Sequence, residues 1–146
     1  RPRFVSTGVP FCIAVLNDLE TLRRVELDPT AYRAYAEAYT KGATDFRKPF
    51  WVALEGFTLE GRTSAQLPLL PHLPAEDLFT GSASGAMAAY LWAEGLIDNP
   101  VFVAEQAYCM NRPGQADVQV IGPQDAIEGV NVSGSGYVLM SGKLKI

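Results

Sequence analysis

Four patterns of hydrophobic and polar positions divide the chain. Residues 3–7 read as a short strand and residues 8–10 as a turn. Phe11-Cys12-Ile13-Ala14-Val15-Leu16 is then an unbroken apolar run, which predicts a strand buried on both faces. Asn17-Asp18 offers a cap for a short helix over residues 19–25. Asp28-Pro29-Thr30 opens a second helix. Tyr32, Tyr35, Ala36 and Tyr39 fall on one stripe of it, so it reads as a surface helix packed by tyrosines and ended by Gly42. Residues 50–54, 57–59 and 63–67 predict strand, with a turn at Gly61, and three prolines make residues 68–74 irregular.

The third pattern is the one the rest is arranged around. From Gly81 to Ala93 there is no charge, and the first acid is Glu94. A helix over residues 81–96 has no face suited to water, which predicts that it lies inside the domain with other elements round it. Asp98-Asn99-Pro100 stops it. The fourth pattern is β to the end of the chain. Residues 101–106, 116–121 and 127–132 read as strands, with Val118 and Val120 alternating against Asp117 and Gln119. Ser133-Gly134-Ser135-Gly136 reads as a hairpin turn into a strand over residues 137–140, and Ser141-Gly142 turns into residues 143–146. A phosphate loop is disfavoured there, because neither a helix nor the P-loop lysine follows. The predicted class is α+β: a curved mixed or antiparallel sheet round one buried helix, with two small helices outside, all in a single domain over residues 1–146.

Composition narrows the partners. A net charge of −4 with no basic run argues against nucleic acid, and no apolar run reaches the length of a membrane span. Cys12 and Cys109 form no metal or redox motif and read as buried, reduced thiols, which fits a cytoplasmic protein. The chain begins Arg1-Pro2 with no visible signal peptide, and reads as a piece of a longer protein.

Candidate chemistry gathers where the buried helix begins. Free N–H groups at a helix N-terminus favour an anion, and Asp77 lies just upstream in Glu76-Asp77-Leu78-Phe79-Thr80-Gly81-Ser82. The plainer alternatives are that Thr80 or Ser82 simply caps the helix, or that Asp77 is itself a cap or a loop ion-pair partner. His72, the single histidine, reads as a surface residue of the proline-rich loop or as part of a pocket rim. One histidine and two scattered cysteines do not suggest a metal site, and no nucleophile elbow is present. Glu105, at the end of an apolar strand, needs a partner if buried, and Arg112 is the candidate for an ion pair.

The residues Glu76-Asp77-x-x-Thr80-Gly81-Ser82-Ala83, followed by a small-residue helix, resemble the signature of the PhzF-like (phenazine biosynthesis-like) isomerases, which share the diaminopimelate epimerase fold. Val5-Ser6-Thr7-Gly8-Val9-Pro10-Phe11, Glu105-Gln106, Met110-x-Arg112-Pro113, Val132-Ser133-Gly134 and a hairpin over residues 138–144 fit in order. The resemblance implies two similar halves with the active site between them, this chain being the C-terminal half. It implies that Asp77 lines the cleft and helps to shuttle a proton. Gly81 and Ser82 would hold a substrate carboxylate, and Thr80 would shape the turn. It further implies cofactor-independent acid–base chemistry on a small carboxylate substrate, with no metal and with the principal acid/base Glu in the N-terminal half. That half, or a homodimer partner, would complete the site. The alternative is a non-catalytic small-acid binding or assembly module of the same fold. The family's usual Pro and Ala are here Leu78 and Phe79, which frees the backbone after Asp77 and adds bulk beside it.

Overall fold

The computed structural model describes residues 2–39, 48–68 and 76–144. Seven strands form one mixed sheet in chain order: β1 (Arg3–Ser6), β2 (Pro10–Val15), β3 (Lys48–Ala53), β4 (Gly61–Gln66), β5 (Val101–Gln106), β6 (Gly114–Ile121) and β7 (Gly129–Ser133). The β2–β3 and β4–β5 pairs are parallel and the others antiparallel. Each parallel pair needs a helical crossover. Helices α1 (Leu19–Arg23) and α2 (Pro29–Tyr39) lie between β2 and β3, and α3 (Gly81–Ala93) between β4 and β5.

Strand direction explains where the helices sit. Strand β3 is antiparallel to β4, so the two crossovers start from strands that point opposite ways. Right-handed crossovers advancing in the same direction then place their helices on opposite faces. The side chains agree. Phe11, Ile13, Phe50 and Val52 point inward and form the core with Ala83, Met87 and Leu91 of α3. Their neighbours Cys12, Ala14 and Trp51 point outward and line a shallow apolar concavity with Tyr32 and Tyr35 of α2. The sheet thus curls round α3 and carries the small helices outside.

The predicted buried helix is present. Met87 and Leu91 are completely buried, and burial of side chains of this size stabilises by about 2–3 kcal/mol each. Gly85 brings α3 close to both ends of the sheet. A Cβ there would lie 3.6 Å from Thr7 Oγ1 after β1 and 3.7 Å from Val132 Cγ2 of β7. The expected caps of the small helices also form. Asp18 accepts from Thr21 N at 2.6 Å, and Asp28 accepts from Thr30 N at 2.8 Å and Ala31 N at 3.2 Å. Tyr32, Tyr35 and Tyr39 pack in series along α2, and Tyr39 reaches Phe4 of β1.

Several expectations fail. Residues 57–59 are not a strand: the Phe57 and Thr58 amides donate to a carboxylate, and Leu59 is fully exposed. Residues 137–140 are neither strand nor part of a hairpin. Tyr137, Val138, Leu139 and Met140 are all about nine-tenths exposed, and this apolar stretch pairs with no strand among the described residues. The long helix ends at Ala93, not Leu96, and Gly95 continues the chain at φ +64°. Cys12 is buried as expected, but Cys109 is exposed. Gly42, His72 and residues 145–146 lie outside the described residues.

Candidate functional site

The proline-rich loop returns to the sheet where Asp77 N donates to Leu67 O at 3.0 Å, beside an isolated bridge between Pro68 and Glu76. This anchors the chain before the turn into α3. Thr80 occupies the N-cap position with non-helical φ −112° and ψ 89°, yet its side chain does not cap the helix. The hydroxyl instead donates to Asp77 Oδ2 at 2.5 Å. The Thr80 carbonyl begins the helix, accepting from Ser84 N at 2.9 Å and Ser84 Oγ at 3.1 Å.

The consequence falls on Gly81 and Ser82. Their N–H groups have no partner earlier in the helix, and no side chain among the described residues caps them. Both residues are exposed, so the helix end is open to solvent although the helix behind it is buried. A Cβ on Gly81 would meet nothing within 4 Å. Asp77 is half-buried beside this opening. The expected set of Asp77, Thr80, Gly81 and Ser82 is therefore contiguous: a carboxylate fixed by a hydroxyl, next to two free amides with the positive end of α3 behind them. The plain capping reading of Thr80 is excluded by where its hydroxyl goes.

A residue without a predicted site role supports this turn. Gln106, the last residue of β5, is 1% exposed. Its Nε2 donates to Asp77 O at 2.8 Å and lies 3.4 Å from Thr80 Oγ1, while its Oε1 accepts from Thr80 N at 3.0 Å. The sequence signal was a polar amide at the end of an apolar strand. Leu78 turns out to solvent. Phe79 lies over Gly114 at the start of β6, where a Cβ would come within 2.9 Å of its ring.

The neighbouring Glu105 points to the other face of β5 and is 1% exposed. It makes no ion pair with Arg112, which is exposed. The carboxylate accepts instead from Phe57 N at 2.5 Å, Thr58 Oγ1 at 2.6 Å, Gln115 Nε2 at 3.0 Å, Tyr108 Oη at 3.2 Å and Ser64 Oγ at 3.3 Å. Burial pushes its pKa up, but the donors from Thr58, Gln115 and Phe57 outweigh it and hold the carboxyl below its ordinary range. Phe57 stacks on Tyr108 at 4.6 Å, with the Arg23 guanidinium 4.8 Å from the Phe57 ring centre. Gly61 is required here, since a Cβ would sit 2.3 Å from the Glu105 carboxyl carbon. At 1% exposure the carboxylate is shut off from solvent, with protein donors on both oxygens. Glu76 differs from Glu105: burial raises its pKa, and its Oε2 has no hydrogen-bond partner among the described residues.

No group of three or more potential metal-ligating side chains occurs among the described residues, and no helix there is long and apolar enough to cross a membrane.

No curated protein sequence matches the chain. The fold is shared with a phenazine biosynthesis protein of the PhzF family from Bacillus anthracis, at TM-score 0.63 and 19% identity over 92% of this chain and 47% of that one. A predicted epimerase from Pseudomonas aeruginosa aligns at TM-score 0.58 and 26% identity, over 96% of this chain and 46% of that one. The chain thus spans about half the length of these structures. The profile of the PhzC-PhzF family, described as phenazine biosynthesis-like protein, matches residues 1–142. On that match the chain belongs to the phenazine biosynthesis-like protein family.

Proposed function

We propose that this chain supplies one face of a cleft for acid–base proton transfer on a small carboxylate-bearing substrate, an isomerase- or epimerase-type reaction. Asp77 is the group on this face that gives or takes the proton. The Gly81 and Ser82 amides, with the Ser82 hydroxyl, hold the substrate carboxylate at the positive end of α3. Thr80 holds the Asp77 carboxylate in place. The observation that carries this reading is the Thr80 hydroxyl: by binding Asp77 and not the helix, it leaves two amides open beside a fixed carboxylate. Membership of the family, and the structural likeness to a predicted epimerase, support it.

The opposing acid/base group belongs to a complementary half, for which the resemblance implies a Glu. Half-length coverage of the relatives supports this, as does the exposed apolar stretch of residues 137–140, which leaves the sheet after β7. Residues 1–146 act as one domain, in the cytoplasm, and the reaction uses side chains without an organic cofactor or metal. The test is solvent-deuterium incorporation at the acidic carbon of small hydroxy- and amino-carboxylates, using this chain assembled with its complementary half. Asp77→Asn should reduce exchange by about 100-fold or more. Exchange at the wild-type rate would remove Asp77 from the mechanism.

A second reading, a small-acid binding or assembly module, is favoured by the openness of the site: Gly81 and Ser82 are both exposed. It expects carboxylate binding at Gly81 and Ser82 with no isotope exchange in any assembly.

A further inference from the structure

The strand residue beside the site carries a role that rests on the reading of the helix end just given. We propose that Gln106 is the positioning residue of the Asp77–Thr80 turn, fixing both the backbone of the turn and the direction of the Thr80 hydroxyl proton. A primary amide presents a donor and an acceptor at the same end of a side chain. Gln106 uses both, donating to Asp77 O at 2.8 Å and accepting from Thr80 N at 3.0 Å. Turning the amide over would set N–H against N–H and oxygen against oxygen, so the network allows one orientation. Nε2 also approaches Thr80 Oγ1 at 3.4 Å, which occupies a lone pair of that hydroxyl and leaves its proton to Asp77 Oδ2 at 2.5 Å. Gln106 does not touch substrate. It acts through Asp77 and Thr80, and by taking up Thr80 N it leaves Gly81, Ser82 and Ala83 as the helix-end amides without a backbone partner, of which Gly81 and Ser82 are exposed.

The near-isosteric Gln106→Glu separates this role from simple packing. When ionised, the introduced carboxylate has no donor for Asp77 O and draws the Thr80 proton toward itself. When protonated, near the ordinary glutamate pKa of about 4.3, the same group regains the donor. The experiment uses the full 146-residue chain and inorganic sulfate, which stays anionic over the range. Amide shifts of Gly81 and Ser82 are followed by NMR, with wild type as control at each pH. Saturable shifts are expected in wild type, binding at least about tenfold weaker in Gln106→Glu at about pH 7, and a ratio approaching unity as the introduced carboxyl protonates. The Asp77 carbonyl ¹³C shift should move in the variant and return on the same titration. Equal sulfate affinity in both proteins, or an unmoved Asp77 carbonyl, overturns the positioning role. Absence of saturable shifts in wild type overturns the helix-end reading instead, while the carbonyl still judges Gln106. If Gln106→Glu does not fold, the coupling between Gln106 Nε2 and the Asp77 carbonyl in wild type decides: its absence sinks the proposal.

Discussion

Glu105 and Gln106 are adjacent, both fully buried, and at the same end of β5, yet they serve opposite ends. Glu105 faces the outer surface of the sheet and is surrounded by donors from the segment around Phe57 and Thr58, from Ser64, and from Tyr108 and Gln115. Gln106 faces inward and holds a turn whose remaining groups stay open. The difference lies in satisfaction. A buried carboxylate with all its acceptor capacity filled is a fastener. A carboxylate held on one oxygen beside two free amides is a site awaiting a ligand. Strand alternation lets one strand end do both without the two networks sharing an atom.

The largest effect should come from breaking the fastener. Glu105→Ala leaves the half-buried Phe57 and Thr58 amides and the buried Ser64 hydroxyl without their acceptor, and should cost about 3 kcal/mol or more in a urea titration. Its pH dependence has a definite sign. The Glu105 carboxyl is held below its ordinary range, so the unfolded chain binds its proton first as pH falls. The stabilisation is complete above the unfolded pKa and is lost as pH drops through the folded one. A loss below about 0.5 kcal/mol would mean that the cluster is not a fastener.

Glu76 should behave in the opposite sense and more weakly. Burial raises its pKa, so the folded state binds the proton more tightly than the unfolded one. Its contribution is most favourable below the ordinary carboxylate pKa and is lost as pH rises through the raised value. Glu76→Gln should flatten that slope and leave stability at about pH 7 equal to or above wild type, as read by thermal melts across pH. A variant with an unchanged slope would place the effect elsewhere. The smallest effect concerns the residue after Gln106. Ala107 is buried at φ 63°, a left-handed conformation that costs a side chain about 1 kcal/mol. Ala107→Gly should recover about that amount, less the added freedom of glycine in the unfolded chain. A loss of stability would show that the left-handed backbone there is not strained.

Much of this molecule is legible in its sequence, for identifiable reasons. The charge-free residues 81–93 leave a helix nowhere to go but inside a sheet, and the run from Phe11 onward admits little but a buried strand. The site residues Asp77, Thr80, Gly81 and Ser82 are close together in sequence, so local pattern and family resemblance both reach them. What sequence misses is long-range. Glu105 finds its donors near residue 58, 47 positions away, and not in the nearby Arg112. Gln106 meets Asp77 across 29 positions, and no periodicity announces such a pair. Residues 57–59 and 137–140 share strand-like composition, but composition does not fix strand pairing, and in both the backbone goes elsewhere.

The division of labour across β5 can be read in one comparison: the Gly81 and Ser82 amide shifts of the free protein, with its denaturation midpoint, in Glu105→Gln and in Gln106→Glu at about pH 7, where the introduced carboxyl is ionised. Glu105→Gln should lower the midpoint and leave both amide shifts in place, while Gln106→Glu should displace both shifts with the smaller loss of stability. If Glu105→Gln moves the Gly81 and Ser82 amides as far as Gln106→Glu does, the two faces form one unit and the account is wrong.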